Sequence, residues 1–102
     1  MWQRLLRRLR ERVRAGRYVV TVHAEEEMTQ DDLMASDVEY CILTGSIRRR
    51  LFDRTTGERK WIVRGRSTGG KEMETVVRFG PTGMVVVITV YVLWEGQVER
   101  DL

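Results

Sequence analysis

The sequence has only one cysteine, one proline and one histidine among its 102 residues. A single cysteine excludes an intramolecular disulfide and a cysteine-based metal cluster, and it is typical of a reducing compartment such as the cytoplasm. One proline and 42% hydrophobic residues argue against disorder and predict one domain, residues 1–102. The longest apolar run, residues 84–94, is too short for a membrane-spanning helix. We therefore expect a cytoplasmic protein without a membrane segment.

Charge of one sign is missing from a long segment of the chain. Residues 18–47 contain seven acidic residues and no lysine or arginine. Residues 1–17 contain seven arginines and one glutamate, and residues 48–66 contain eight basic and two acidic residues. Of the 18 basic residues, 16 are arginine, whose planar guanidinium suits phosphate and carboxylate groups. This segregation predicts a nucleic-acid surface, an acidic protein partner, or both; the alternative is that basic and acidic elements neutralise each other.

The first 16 residues have the pattern of a basic amphipathic helix ended by Gly16. The helix either packs with a solvated basic face, contacts nucleic acid through arginines such as Arg7 and Arg8, or lies on an anionic membrane surface. Its apolar stripe packs either within one chain or across a homodimer. The stripe consists of Trp2, Leu5, Leu6, Leu9 and Val13.

The remaining pattern predicts an α+β fold with the N-terminal helices packed on a curved, mainly antiparallel sheet of four to five strands. A strand over residues 18–23 precedes a short helix over 24–30, and a second helix marked by Leu33 to Leu43 ends at Gly45. The period then changes to two, which indicates an antiparallel meander. The meander strands are predicted over residues 47–52, 61–66, 73–79 and 85–94.

Alternation along these strands places basic side chains on the sheet face that the helices leave uncovered. Lys60, Arg64, Arg66 and Arg78 belong to this face. A basic sheet face is a plausible RNA platform, and the alternative is a set of ordinary solvated strand residues.

His23 is the leading candidate for chemistry because its unperturbed pKa lies near neutrality. RNA carries its own nucleophile, the 2′-hydroxyl, so cleavage needs a base, an acid and cations for the charge on phosphorus. His23 would transfer protons, Arg59 would stabilise charge, and Tyr91 would orient the substrate or donate a proton. His23 and Glu27 share a helix face, but two ligands are too few for a metal site. We predict no metal and no other cofactor.

Several short motifs occur in an order that resembles a known family. They are His23-Ala24, Met28, Leu33, Asp37-Val38, Gly45, Arg59, Gly65, Val76-Val77 and Ile88-Thr89-Val90-Tyr91. The family comprises small uncharacterised bacterial domains that begin with a His-Ala pair and an Arg-Met pair and end with a Thr-x-Tyr strand. It is similar to the BrnT and RelE/ParE toxins, and some members are encoded beside zinc-finger antitoxins of the YgiT type. The resemblance covers roughly residues 17–93.

The resemblance implies a RelE-like fold and a toxin of a toxin–antitoxin pair. Its activity would be metal-independent cleavage of RNA, including ribosome-bound mRNA, silenced by a cognate antitoxin. His23 matches the family histidine, Arg59 the arginine before the third strand, and Tyr91 the final motif. The family arginine before the methionine is Glu27 here, and an anion next to the site would repel phosphate. The alternative function is a non-catalytic module of the same fold that binds nucleic acid or protein.

The chain is accordingly divided into three parts. Residues 1–16 form the basic helix, residues 17–94 the toxin-like core, and residues 95–102 a tail.

Overall fold

The computed structural model describes residues 1–94 and has three helices packed on one face of a five-stranded mixed sheet. The predicted tail, residues 95–102, lies outside the described residues. The α+β class and the packing of the N-terminal helices on the sheet are confirmed. The elements are α1 (Gln3–Arg14), β1 (Tyr18–Val20), α2 (Val22–Gln30), α3 (Ala35–Thr44), β2 (Ser46–Asp53), β3 (Glu58–Arg66), β4 (Glu72–Phe79) and β5 (Val85–Val92).

The strand order is β1-β5-β4-β3-β2. Strands β2 to β5 form the predicted antiparallel meander, since each pairs with its neighbour in the chain. Strand β1 pairs in parallel with β5, and Tyr18 lies opposite Val85. A parallel pair requires a crossover connection, which α2, α3 and the rest of the meander supply.

The junction at His23 differs from the predicted one. Strand β1 ends at Val20, and α2 begins at Val22 rather than after His23. Thr21 is the N-cap, because its Oγ1 accepts a hydrogen bond from the Ala24 amide at 3.1 Å. The prediction of a strand over residues 18–23 was therefore wrong at its end, since this cap outweighs the β propensity of Thr21 and Val22. His23 lies in the first turn of a helix.

The apolar stripe of α1 packs within the chain. Leu9 and Val13 are buried in the core, and Trp2, Leu5 and Leu6 pack against it. Helix α1 contacts α3 and β5, so this stripe is part of the core of the protein itself.

The end of α3 lies very close to β3 because two glycines lie at the contact. A Cβ at Gly45 would lie 2.3 Å from the Arg64 carbonyl oxygen, and one at Gly65 would lie 2.7 Å from the Cys41 carbonyl oxygen. Cys41 is fully buried here, and burial raises the pKa of its thiol to about 11. This close contact places the start of β2 beside the end of β3.

Helix α2 completes the flank of β5 beyond the short strand β1. The Val90 amide donates to Glu27 Oε1 at 3.1 Å, and the Val92 amide donates to Asp31 Oδ2 at 3.0 Å. Two carboxylates therefore take the place of the carbonyls that a longer β1 would offer. Glu27 therefore accepts a structural hydrogen bond from the Val90 amide. An arginine at this position could not accept it, because a guanidinium group has no acceptor atom.

Asp37 joins the start of α3 to the β3–β4 turn. Its carboxylate accepts hydrogen bonds from the Met34 amide at 2.8 Å, the Thr68 amide at 2.9 Å and Thr68 Oγ1 at 2.7 Å. The bond from the Met34 amide is the main reason why the pKa of Asp37 is lowered, and the bond from the Thr68 hydroxyl adds to it. Three donors depend on this one carboxylate.

We expect Asp37→Ala to lower the free energy of unfolding by about 2 kcal/mol at pH 7, because it leaves these donors without their acceptor. Urea denaturation measures the loss, and Glu26→Ala on the exposed surface of α2 is the control. The pKa of Asp37 is lower in the folded state, so its contribution is complete above the unfolded value of about 4 and declines as the pH falls. A deficit that is as large at pH 3 as at pH 7 would contradict this role.

Candidate functional site

The face of the sheet opposite the helices, called the open face below, carries a row of polar and charged side chains beside a row of buried apolar ones. Strand register places Arg64, Glu74 and Tyr91 side by side on β3, β4 and β5. Ile62 and Val76 follow in the next row, and both are buried although they lie outside the core under the helices. The open face therefore has a polar row next to an apolar row.

A cavity of about 270 Å³ opens on this face and is lined by strands β2 to β5. Its lining combines three guanidinium groups, one carboxylate, one phenol and one aliphatic side chain. The lining residues are Arg48, Arg49, Ile62, Arg64, Glu74 and Tyr91.

Glu74 is the hydrogen-bond acceptor that joins Arg64 and Tyr91 in the cavity. Only 7% of this residue is exposed, so its charge requires partners. Arg64 supplies Nε at 2.9 Å and Nη2 at 2.8 Å, both to Oε2, and the Tyr91 hydroxyl donates to Oε1. The three side chains form one connected group across three strands.

Tyr91 keeps its proton at neutral pH. Burial raises the pKa of its phenol to about 12, and the hydrogen bond to Glu74 and the negative charge of that carboxylate act in the same direction. Arg64 and Arg49 act in the opposite direction. The phenol can therefore donate a proton, but it does not provide a phenolate base near neutrality.

A β-bulge brings two consecutive arginines to the same cavity. The register of β2 against β3 shifts between Ile47 and Arg49, so Arg48 occupies the extra position. In a regular strand Arg48 and Arg49 would point to opposite faces, but the bulge allows both to line the cavity. Both are exposed, and within residues 1–94 neither forms an ion pair.

The predicted basic face is partly neutralised by glutamates on the neighbouring strands. Arg66 Nη2 lies 2.9 Å from Glu72, and Arg78 Nε lies 3.2 Å from Glu58. With the Arg64–Glu74 pair, three of the four predicted positions have an acidic partner. Lys60 is half-buried on the same face, beside Leu51 of β2. The excess positive charge at the cavity therefore comes from β2.

The predicted catalytic residues do not come together. Arg59 is exposed and five residues from Arg64 along β3, which is roughly 17 Å. His23 has 66% of its side chain exposed, and its Nε2 lies 3.2 Å from Glu27 Oε1, on the flank of β5 that faces away from β4. Of the three, Tyr91 alone lines the cavity.

The arginines of α1 lie on the helix side of the sheet. The Arg8 guanidinium lies over the Phe79 ring at 4.1 Å from its centroid, which is a cation–π contact. Arg7 lines a separate surface cavity with other residues of α1. Neither belongs to the open-face cavity.

Sequence reasoning missed Arg48, Arg49 and Glu74 as site residues. The run of three consecutive arginines at positions 48–50 of a predicted strand was a signal for a functional site. A strand with so many charges is either protected from pairing with another strand or used for binding. Glu74 alternates with the core residues Met73 and Thr75 in the sequence, but its partners lie 10 and 17 residues away in the chain.

Within residues 1–94, no group of three or more histidine, cysteine or acidic residues could hold a metal ion. No helix in the same part of the chain is long and apolar enough to cross a membrane.

The pKa of Tyr91 provides a direct check of the cavity. We expect Glu74→Gln to lower that pKa, because it removes the carboxylate charge while Arg64 stays beside the phenol. Tyr18 is the internal control: burial and Glu39 raise its pKa to about 12 as well, and Glu74 is not among the causes. NMR of tyrosines labelled at Cζ follows each phenol separately. Equal shifts of Tyr18 and Tyr91, or none, would contradict the described geometry.

Comparison with known proteins gives a family without an assigned function. No curated protein and no solved structure matches the chain. One family model, described as a domain of unknown function (DUF4258), matches residues 20–92, from the end of β1 to the end of β5. The match includes His23 and every residue that lines the open-face cavity. Because it covers most of the chain, this protein belongs to the DUF4258 family.

Proposed function

We propose that the protein binds RNA on its open face and cleaves it without a metal or other cofactor, by attack of a ribose 2′-hydroxyl on the adjacent phosphate. The observation that carries this proposal is the cavity in which Arg48, Arg49 and Arg64 surround the Glu74–Tyr91 pair. The resemblance to BrnT and RelE/ParE toxins supports the accompanying proposal of a cytoplasmic toxin that a cognate antitoxin silences.

The arginines of β2 bind the phosphate in this proposal. Arg64 is already engaged with Glu74, whereas Arg48 and Arg49 have no ion-pair partner within the described residues. Guanidinium groups bind phosphate through paired N–H donors, and two of them beside one cavity favour a bound phosphodiester. They also stabilise the negative charge that develops on phosphorus.

Glu74 and Tyr91 transfer the protons in the proposed reaction. Glu74 accepts the proton of the 2′-hydroxyl as the O2′–P bond forms, and Tyr91 donates its proton to the 5′-oxygen as the P–O5′ bond breaks. The proton on Glu74 then returns to the Tyr91 phenolate along their hydrogen bond. The products are a 2′,3′-cyclic phosphate and a 5′-hydroxyl, and the enzyme is restored.

The substitution of the family arginine by Glu27 does not place an anion in this cavity. Glu27 accepts the Val90 amide on the flank of β5 and is absent from the cavity lining. His23, which resemblance implies as the catalytic base, lies beside Glu27 on that flank. The proposed chemistry therefore uses Glu74 where the resemblance would use His23.

A non-catalytic RNA-binding module is the second candidate. The observation that favours it is the saturation of Glu74, since both carboxylate oxygens already accept hydrogen bonds. In this case the Glu74 group would only position Arg64 and Tyr91 for binding.

The binding proposal predicts that affinity for RNA depends on the arginines of β2. Arg48→Ala/Arg49→Ala should weaken binding of single-stranded RNA about tenfold and lower the salt dependence by about two charges. Fluorescence anisotropy across a salt series measures both quantities. The matched control is Arg4→Ala/Arg14→Ala, which removes two exposed arginines from α1. Equal losses in both double variants would mean that general charge, rather than the cavity, binds RNA.

The cleavage proposal predicts which single variants are inactive. Tyr91→Phe should cleave RNA at least about 100-fold more slowly and should not arrest growth on expression, because it lacks the proton donor. His23→Ala should keep the activity of the wild type. The reverse result would assign the chemistry to His23, as the resemblance implies. Salt-dependent binding without cleavage by the wild type would favour the non-catalytic module.

A further inference from the structure

A second cavity adjoins the first one and shares Arg64 with it. Its volume is about 320 Å³, and it lies where the end of α3, the start of β2, the end of β3 and the start of β4 meet. Besides Gly45 and Gly65, the residues that distinguish it from the first cavity are Tyr40, Thr44, Ser46, Arg66 and Glu72. Apart from Arg64, none of its lining residues takes part in the proposed phosphate chemistry.

Tyr40 is the feature that indicates a ligand. It is a large aromatic residue on α3 that remains 45% exposed although the rest of the α3 contact is closely packed. Within residues 1–94 its ring takes part in no aromatic or cation–π contact. An exposed aromatic ring beside guanidinium groups is how proteins stack the bases of single-stranded nucleic acid.

The two cavities are placed for consecutive parts of one RNA strand. Arg64 lines both, and Arg66 follows two residues later on the same face of β3, which is roughly 7 Å along the strand. Glu72 is likewise two residues before Glu74 on β4. A strand held at the first cavity by its phosphate therefore brings a neighbouring nucleotide to the second.

The polar groups of the second cavity match the edge of a nucleobase. Ser46 and Thr44 carry hydroxyls, and Thr44 Oγ1 donates to the Tyr40 carbonyl at 2.7 Å, which leaves the oxygen able to accept. The Glu72 carboxylate binds Arg66 through Oε1 at 2.9 Å and remains 28% exposed. Amino and imino groups of a base need such acceptors.

We infer that this second cavity is a subsite for one unpaired nucleobase, which stacks on Tyr40 while the adjacent phosphate lies in the first cavity. The inference rests on the proposed function and narrows its substrate to single-stranded RNA. A double-stranded RNA could not present a free base to Tyr40.

The test uses an all-2′-O-methyl single-stranded oligonucleotide, which lacks the attacking hydroxyl and cannot be cleaved by the proposed reaction. Tyr40→Ala should bind it about tenfold more weakly than the wild type, while Tyr40→Phe should bind within about twofold, since stacking needs the ring rather than the hydroxyl. Phe52→Ala, which removes another exposed aromatic residue from outside both cavities, should bind like the wild type.

Abasic substitution then identifies the stacked position. At one position of the oligonucleotide, removal of the base should weaken binding by the wild type and cause no further loss in Tyr40→Ala. The subsite would be overturned if Tyr40→Ala bound the oligonucleotide as tightly as the wild type. It would also be overturned if the affinity difference between Tyr40→Ala and the wild type were the same at every abasic position. If Arg48→Ala/Arg49→Ala loses binding while Tyr40→Ala does not, only the subsite is wrong. Failure of the wild type to bind RNA would overturn both the subsite and the proposed function.

Discussion

The arrangement of the open face depends on the buried carboxylate of Glu74. A buried carboxylate is tolerated only when its oxygens accept hydrogen bonds. Arg64 and Tyr91 donate these bonds from the strands on either side. The carboxylate thereby orients one guanidinium and one phenol and keeps the phenol protonated. Because Arg64 is held in this way, the positive charge available to a ligand comes from Arg48 and Arg49.

The two edges of the sheet are protected by different means. On one side, β1 is short, and the amides of β5 beyond it donate to Glu27 of α2 and to Asp31, the C-cap of that helix. On the other side, β2 is an edge strand that carries a bulge and consecutive arginines, both of which discourage pairing with another strand. The same bulge and charge also form the cavity, so one local feature serves both the protection of the sheet edge and the proposed binding of phosphate.

Much of the fold could be predicted from the sequence because its signals are local. The apolar stripe of α1 and the alternation in β3 and β4 each arise from neighbouring residues, and the predicted elements agree with the structure within a few residues. The end of β1 could not be predicted in the same way. Thr21 caps α2 and also donates to the Ile88 carbonyl at 3.2 Å, a contact with a residue 67 positions later in the chain.

The α+β class, the helix that covers one face and the position of Arg64 on the other face follow from the sequence, because periodicity and side-chain chemistry are properties of short segments. Which of these residues act together depends on how distant segments pack. The bulge in β2 brings Arg48 and Arg49 to one cavity, and the register across three strands places Glu74 between Arg64 and Tyr91. Strand register and bulges are set by packing between distant segments, and for that reason the pattern of any one segment does not contain them.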